Sequence, residues 1–514
     1  MNRLATLGLV LLLLAAPLFG AISSMAQPTT ITVGSLLPLT GDLQSYGERA
    51  KAAVEVAVED MNKFLEEQNA WFRLKLVVED TQTKPDVAVQ KFNSLIAQNI
   101  KLIVGPMTSA EVKKLKDLAD QNNVLLISPS STAIELAIPG DNVFRFCPAD
   151  DIQSKAIGAL ARDLGIKAVV VVNRADTWGE GLKDATIDVL KANGIEVKNV
   201  YSYNPESPGF TAIASSVNND VEALLKEYNP AQVAVVAIGF NEIVQLFKEA
   251  AKYPTLAKVP WLGSDGTAVL SEFTEDPVAA RFGTNVLFIN PIFSPAASAV
   301  QDDLKKKVEA KIGQEPDAYA MAAHDAIVAI TLALLQTGPI EDPDEMVNRI
   351  KQLLPEITLS DDFAKFAATG KFPLNDAGDR GTADYDWFIL YMEGGKAKWV
   401  KAGVYKGIED RNEFYKLPDG KTYLDIYSEK FGVEVKPTQP PPQTQTQTVT
   451  QTVTQTQTAP GEAKTVTVTQ TVKETVTVTQ TETVTETAGG GNTLTIALAI
   501  LVVILAVALA LRMR

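Results

Sequence analysis

The sequence predicts an α/β body of two lobes, followed by a low-complexity stalk and one apolar C-terminal segment. Three observations predict it. Short apolar runs alternate with longer stretches of helical periodicity from about residue 30 onward, the pattern of strands in a mostly parallel sheet covered by helices. The pattern breaks near residue 148 and restarts, which marks two successive sets. The end differs: residues 387–391 and 399–404 flank Glu393-Gly394-Gly395, a strand-hairpin signal.

Taken in order, the chain opens with Arg3 and the apolar run LATLGLVLLLLAAPLF, and Ser24-Met25-Ala26 offers small residues for cleavage. Residues 1–26 therefore read as a signal peptide, with an uncleaved anchor as the alternative. No Cys follows the apolar run, so a lipid cannot be attached there. Residues 31–37 (ITVGSLL) are the first expected strand. Ala50, Ala53, Val54, Ala57, Met61 and Leu65 then recur at helical spacing. Strands follow at 74–78, 102–104 and 124–127, with helices over 85–98 and 109–122 between them. The second set has a helix over 152–164, the buried strand 168–172 (AVVVV) and a helix over 179–193. Strands at 195–201, 233–238 and 286–289 come next, with helices over 242–252, 299–312 and 317–335. Continuous apolar strands are expected where both faces of a parallel sheet are covered.

Residues 437–492 are TQTQTVTQTVTQTQT-like, without Leu, Ile or Phe. Such a segment buries too little to offset chain entropy, so a disordered, extended Thr/Gln/Pro-rich linker is expected despite the strand propensity of its Val/Thr alternation. Residues 493–512 contain LTIALAILVVILAVALAL, close to the roughly 20 residues a membrane span requires. Arg512 and Arg514 follow, which places the C-terminus in the cytoplasm and the body outside. A removable GPI-type tail is the alternative, and terminal arginines argue against it.

Composition excludes several classes. The chain has 514 residues, 47 Lys and Arg, 62 Asp and Glu, a net charge of -15, one His and one Cys. An acidic balance does not suit nucleic acid, which needs excess Lys and Arg. One Cys and one His exclude an internal disulfide and make a Cys/His zinc site untenable. No G-x-S-x-G, H-E-x-x-H or phosphate-loop motif occurs, and no metal or cofactor is expected. His324 falls within an apolar helix, away from the loops described next.

Ligands of open α/β sheets bind beyond the carboxyl ends of strands. Three strand-to-helix loops carry Thr-x-x-Glu: Thr108/Glu111, Thr132/Glu135 and Thr177/Glu180. That spacing is a capping box. A helix N-terminus attracts an anion, and a capping hydroxyl retains a proton to donate. Ser109, Ser130 and Thr132 are thereby candidates for holding a carboxylate without a basic residue, although capping alone suffices to account for the spacing. Asp265, among small residues after a short apolar strand, is a candidate partner for an ammonium or an ordinary turn residue.

At these residues the body resembles the type I periplasmic binding proteins, in their leucine/isoleucine/valine-binding branch. ITVGSLLPLTGDLQSYGERAKAAVEVAVEDMN looks like that family's opening strand, turn and helix. GPMTSAEVKKLKDLADQNNVLLISPSST resembles its carboxylate-binding stretch, and DTWGEGL its second-lobe helix start. DGT and NDAGDRGTADYDWFILY resemble later patterns. The likeness spans nearly all of residues 29–410. It implies two lobes, 29–147 with 290–355 and 148–289 with 366–430, closing around a ligand. Their three hinge crossings would lie near residues 146–148, 289–291 and 355–366. It implies that Ser109 and Thr132 hold an α-carboxylate with Ser130 contributing backbone, and that Asp265 takes the α-ammonium. Tyr46, Trp178 and Phe240 would wall the side-chain pocket. Trp178 replaces a more usual Tyr or Phe, and Phe240 lacks a hydroxyl found in relatives.

The function so implied is that of an extracytoplasmic receptor, not an enzyme. It would capture an amino acid, branched-chain or similarly apolar, and deliver it to an ABC permease and its ATPases. A receptor for another small polar solute, such as an amide or urea, a sensor, and a stalked envelope protein are the alternatives.

Overall fold

The computed structural model describes residues 27–435 and the strands Thr444–Gln457 and Val466–Thr479. The chain divides into two compact units, one up to Gln439 and one beyond it. The expected signal peptide, 1–26, and membrane helix, 493–512, lie outside the described residues.

The first half of the body runs β1 (Thr29–Leu37), α1 (Gln44–Glu67), β2 (Phe72–Asp80), α2 (Pro85–Ala97), β3 (Leu102–Val104), α3 (Ser109–Gln121), β4 (Leu125–Ser128) and β5 (Val143–Arg145). Its strands form one parallel sheet in the order β2-β1-β3-β4-β5. The apolar runs 102–104 and 125–127 are buried at every position, as a doubly covered sheet requires.

The second half runs α4 (Asp150–Asp163), β6 (Ala168–Arg174), α5 (Thr177–Ala192), β7 (Glu196–Tyr203), α6 (Phe210–Leu224), β8 (Val233–Ile238), α7 (Ile243–Ala250), β9 (Trp261–Leu262), α8 (Ser271–Glu275), α9 (Pro277–Asn285) and β10 (Ile289–Ser294). After it come α10 (Ala299–Ile312), α11 (Ala318–Thr337), α12 (Pro343–Ile357), α13 (Asp361–Ala364), β11 (Asp384–Glu393), β12 (Lys396–Lys406), β13 (Arg411–Phe414) and α14 (Tyr423–Phe431). The second sheet has the order β13-β12-β11-β10-β9-β8-β6-β7. It is parallel from β7 to β10 and antiparallel from β10 to β13.

The chain leaves the first sheet after Arg145 and enters the second half at α4. Two returns fall later than the sequence suggests. β10 lies wholly in the second sheet, pairing with β9 and β11, so the return follows Ser294 rather than falling at 289–291. The segment after α13 also stays with the first half: the Arg380 amide donates to the Arg145 carbonyl at 2.9 Å. The last crossing therefore falls between Arg380 and Asp384, not within 355–366. Asp325 explains this, since its carboxylate accepts the amides of Ala368 and Thr369 at 2.7 and 2.8 Å. Its neighbour His324 is buried, with its ring nitrogen 2.9 Å from Asp325 Oδ1.

α10 and α11 pack on α1, and α11 also on α12. Among the described residues α11 alone is long and apolar enough to cross a membrane. Yet 94% of its apolar stretch is buried inside the body, so it is a core helix.

Within the expected linker, the two described segments of the second unit are strands rather than disordered chain. β14 (Thr444–Gln457) and β15 (Val466–Thr479) pair antiparallel, in register from Thr444 opposite Thr479 to Gln457 opposite Val466. Period-two alternation of β-branched residues suits a strand even without bulky apolar groups.

Candidate ligand-binding site

The loops after β3, β4, β6, β8 and β9 meet between the two halves around a narrow cavity of about 30 Å³. Leu43, Tyr46, Met107, Thr108, Ser109, Ser130 and Tyr319 line it from the first half. Trp178, Phe240, Asp265 and Gly266 line it from the second. Six of the seven candidate residues meet there: Tyr46, Ser109, Ser130, Trp178, Phe240 and Asp265. Thr132 does not. It is fully buried outside the lining, and its carbonyl accepts the Asp150 amide at 2.9 Å.

Only one of the three expected capping boxes around these loops forms. Thr108 caps α3: its hydroxyl accepts the Glu111 amide at 3.2 Å and its own amide donates to Glu111 Oε2 at 3.0 Å. The stretch after Thr132 is a single 3-10 turn, Ile134–Leu136, with Ala133 at its cap. α5 is capped by Asp176, whose Oδ1 accepts the Gly179 amide at 2.8 Å; Thr177 is already helical. Asp caps as well as Thr, so the spacing alone misplaced the cap by one residue.

The first half presents hydroxyls. Ser109 opens α3 and accepts the Ala133 amide at 3.2 Å, which leaves its own proton free to donate. The Ser130 hydroxyl donates to the Met107 carbonyl at 2.8 Å, so that proton is committed. No Lys, Arg or His among the described residues lines the cavity. An anion here would be held by hydroxyls and the start of α3.

The second half presents Asp265, which is 3% exposed. Its Oδ2 accepts the Tyr319 hydroxyl at 2.5 Å and its Oδ1 the Gly266 amide at 2.9 Å. Its amide donates to Gln153 Oε1 at 2.9 Å, and Gln153 Nε2 donates to Asp150 Oδ1 at 2.8 Å. Burial raises the carboxyl pKa of both aspartates above the ordinary range, and for Asp150 the charge of Asp265 adds to it. Two buried carboxylates joined through one glutamine, with no base in the cavity, form a cation-seeking end. Asp150, Gln153 and Tyr319 escaped the sequence reading. Asp150 and Gln153 begin a helix at a crossing, where acidic residues suit the dipole anyway. Tyr319 follows the Asp317 cap of α11 and reads there as core.

The aromatic wall is a stack. The Trp178 and Phe240 rings lie 4.8 Å apart at 19°, and the Arg174 guanidinium covers Phe240 at 4.3 Å from its centroid. Arg174 donates to Asp176 at 2.6 Å and to Glu242 and Asp42 at 2.9 Å each. Burial opposes its charge, but Glu242, Asp176 and Asp42 outweigh that and raise its pKa above the ordinary value.

The halves are drawn together. The Tyr46 hydroxyl lies against the carbonyls of Asp265 and Ala268, and Ser45 donates to Glu272 at 3.0 Å. With Tyr319–Asp265 and Asp42–Arg174, every one of these contacts joins opposite halves.

A family model described as periplasmic binding protein matches residues 30–397. An uncharacterised protein of Methanocaldococcus jannaschii is 33% identical over 395 residues, 74% of this chain and 91% of its own length. A Leu/Ile/Val-binding protein of Rhizobium johnstonii is 28% identical over 329 residues, 62% of this chain and 83% of the relative. The branched-chain amino acid transporter substrate-binding protein LivJ of Streptococcus pneumoniae, solved with isoleucine, shares the fold with a TM-score of 0.56. It is 20% identical, across 73% of this chain and all (100%) of that one. A solute-binding protein of Rhodopseudomonas palustris, solved with 3,4-dihydroxybenzoic acid, has a TM-score of 0.57 and 17% identity over 74% and 98% of the two chains. With its two-sheet α/β body and its cavity between the halves, the chain belongs to the periplasmic binding protein family, whose members are substrate-binding receptors of transport systems.

Proposed function

We propose that the body captures a free α-amino acid between its lobes and delivers it to an ABC permease. The observation that carries this reading is the polarity of the cavity. Hydroxyls and the start of α3 stand on one lobe, and the buried Asp265 stands on the other. A zwitterion has its opposite charges only a few ångströms apart and needs both ends at once. Its ammonium would sit at Asp265, with Asp150 behind it, and its carboxylate at the Ser109 hydroxyl and the Ser130 backbone. Closure removes water from both pairs and strengthens them. A ligand holds the lobes closed only through the contacts it makes better in that state.

An aromatic carboxylic acid, the kind of ligand solved with the Rhodopseudomonas protein, fits this chain less well. It would bring a negative charge with no ammonium to offset it beside the two buried aspartates, and find no cation among the described residues of the cavity lining. Residues 1–26 and 493–512 support export and a single membrane anchor, with the body extracytoplasmic and the permease adjacent.

The test is a thermal-shift screen of the full-length chain against all amino acids, short amides and aromatic acids. A true ligand at 100 times its Kd adds about 2.7 kcal/mol of stability. Stabilisation by at least one amino acid is expected. A shift with amides or aromatic acids and none with amino acids would overturn the reading.

A further inference from the structure

The side-chain end of the cavity is closed by a layered wall that has no room to yield. The Phe240 ring is sandwiched, with Trp178 at 4.8 Å on one face and the Arg174 guanidinium at 4.3 Å on the other. Nothing fits between rings stacked at that spacing. Arg174 is fixed by carboxylates on three separate segments, Asp42, Asp176 and Glu242. Glu242 also accepts the Tyr203 hydroxyl at 2.7 Å and the Phe240 amide at 3.2 Å. The residue that forms the wall is thus tied to the carboxylate that holds its backing. Gly266 closes the remaining edge: a Cβ there would lie 2.7 Å from both Phe240 and Trp178. The whole cavity, both polar ends included, has about 30 Å³, where one water needs roughly 10–15 Å³, so little of it remains for a side chain. The inter-lobe contacts are already made, so this is the space that closure leaves.

We infer that the site selects amino acids with the smallest neutral side chains, glycine or alanine rather than branched-chain ones, and that Arg174 sets this limit as a positioning residue behind Phe240. The inference rests on the amino-acid reading above and narrows its substrate class. A branched side chain has to displace Phe240, and Phe240 moves only if Arg174 leaves its carboxylates. Asp42 belongs to the opposite lobe from Arg174, Asp176 and Glu242, so the backing becomes complete only on closure, the state in which side chains are discriminated.

Calorimetric titration of the full-length chain with glycine, L-alanine and L-leucine tests this. The better of the two small ligands should bind at least tenfold more tightly than leucine, the scale of discrimination by side-chain fit. Phe240→Ala removes the wall without unpairing a charge and should reverse that order. Arg174→Met keeps the aliphatic stem and should narrow the ratio, a readout that a general loss of stability does not move. Leucine binding the wild-type chain as tightly as alanine would overturn the size limit and leave the amino-acid reading standing. An unchanged ratio in both variants would overturn the role of the wall. No binding by these three or any other amino acid would overturn the reading itself and this inference with it.

Discussion

Tyr319, near the start of α11 in the first lobe, donates a 2.5 Å hydrogen bond to Asp265 Oδ2 in the second. It orients the only carboxylate among the described residues of the cavity lining and ties the two lobes together through it. A hydrogen bond to a charged group contributes about 1.5–3 kcal/mol. Tyr319→Phe should therefore weaken amino-acid binding at least about tenfold, as measured by calorimetry at pH 7.5. It should also raise the Asp265 pKa, because the Tyr319 bond favours the ionised form.

Binding should fall in acid. Burial pushes the Asp265 carboxyl up to about 6, and only the ionised form pairs with an ammonium. The Kd should be flat above pH 7 and weaken below pH 6, approaching tenfold per pH unit. In Tyr319→Phe the same limb should begin at higher pH. Titrations from pH 5 to 8 check both expectations.

Ligand-free stability should run the other way. A carboxyl whose folded pKa exceeds its unfolded value holds its proton better when folded, so stability is gained as pH falls and lost as pH rises through that interval. Burial raises Asp150, Asp265 and Asp141 in this sense, with Asp141 and Asp265 each near 6. The ligand-free melting temperature should be higher at pH 5.5 than at pH 7.5. Asp265→Asn should reduce that difference while abolishing amino-acid binding. A melting temperature that rises from pH 5.5 to 7.5 would contradict this account of the buried pair.

Asp42→Asn should loosen closure without disturbing the second lobe. Arg174 keeps Asp176 and Glu242, and the Asp42 side chain is 37% exposed, so the loss is less than about 1 kcal/mol. A two- to fivefold weaker Kd is expected, with a larger ligand-free radius of gyration in small-angle scattering. Salt should reduce the gap between wild type and variant, since the lost pair is partly exposed.

Gly266→Ala should be far more damaging than its size suggests. The added carbon meets the Gly239 carbonyl oxygen at 2.6 Å and both rings of the wall at 2.7 Å. Overpacking of this kind costs about 1–3 kcal/mol. Melting temperature and Kd should both suffer, and a fully stable, fully binding variant would mean the wall is softer than described.

Much of this was legible in the sequence where one physical signal dominated. The apolar runs 102–104 and 168–172 became interior strands, and the loops behind them brought Ser109 and Trp178 to one cavity. The signal failed where competing explanations share a pattern. Thr-x-x-Glu fits a cap wherever it occurs, but Asp176 took the cap at α5 and Thr132 was buried instead. The crossing at 289–291 was misplaced because an apolar run does not reveal which sheet it joins. Tyr319 was invisible because helical periodicity reports burial, and a buried tyrosine beside a ligand looks like any core residue. The partnership of Arg174 with Asp42 links residues far apart in sequence, and no local pattern encodes it.

The most direct test takes the amino acid that stabilises the chain most and compares it with the carboxylic acid that differs only in lacking the ammonium. If Asp265 reads that ammonium, calorimetry at pH 7.5 will show the amino acid binding at least about a hundredfold more tightly, the scale of truncating one partner of a buried charge pair. Equal affinity for the two would contradict the account at its centre.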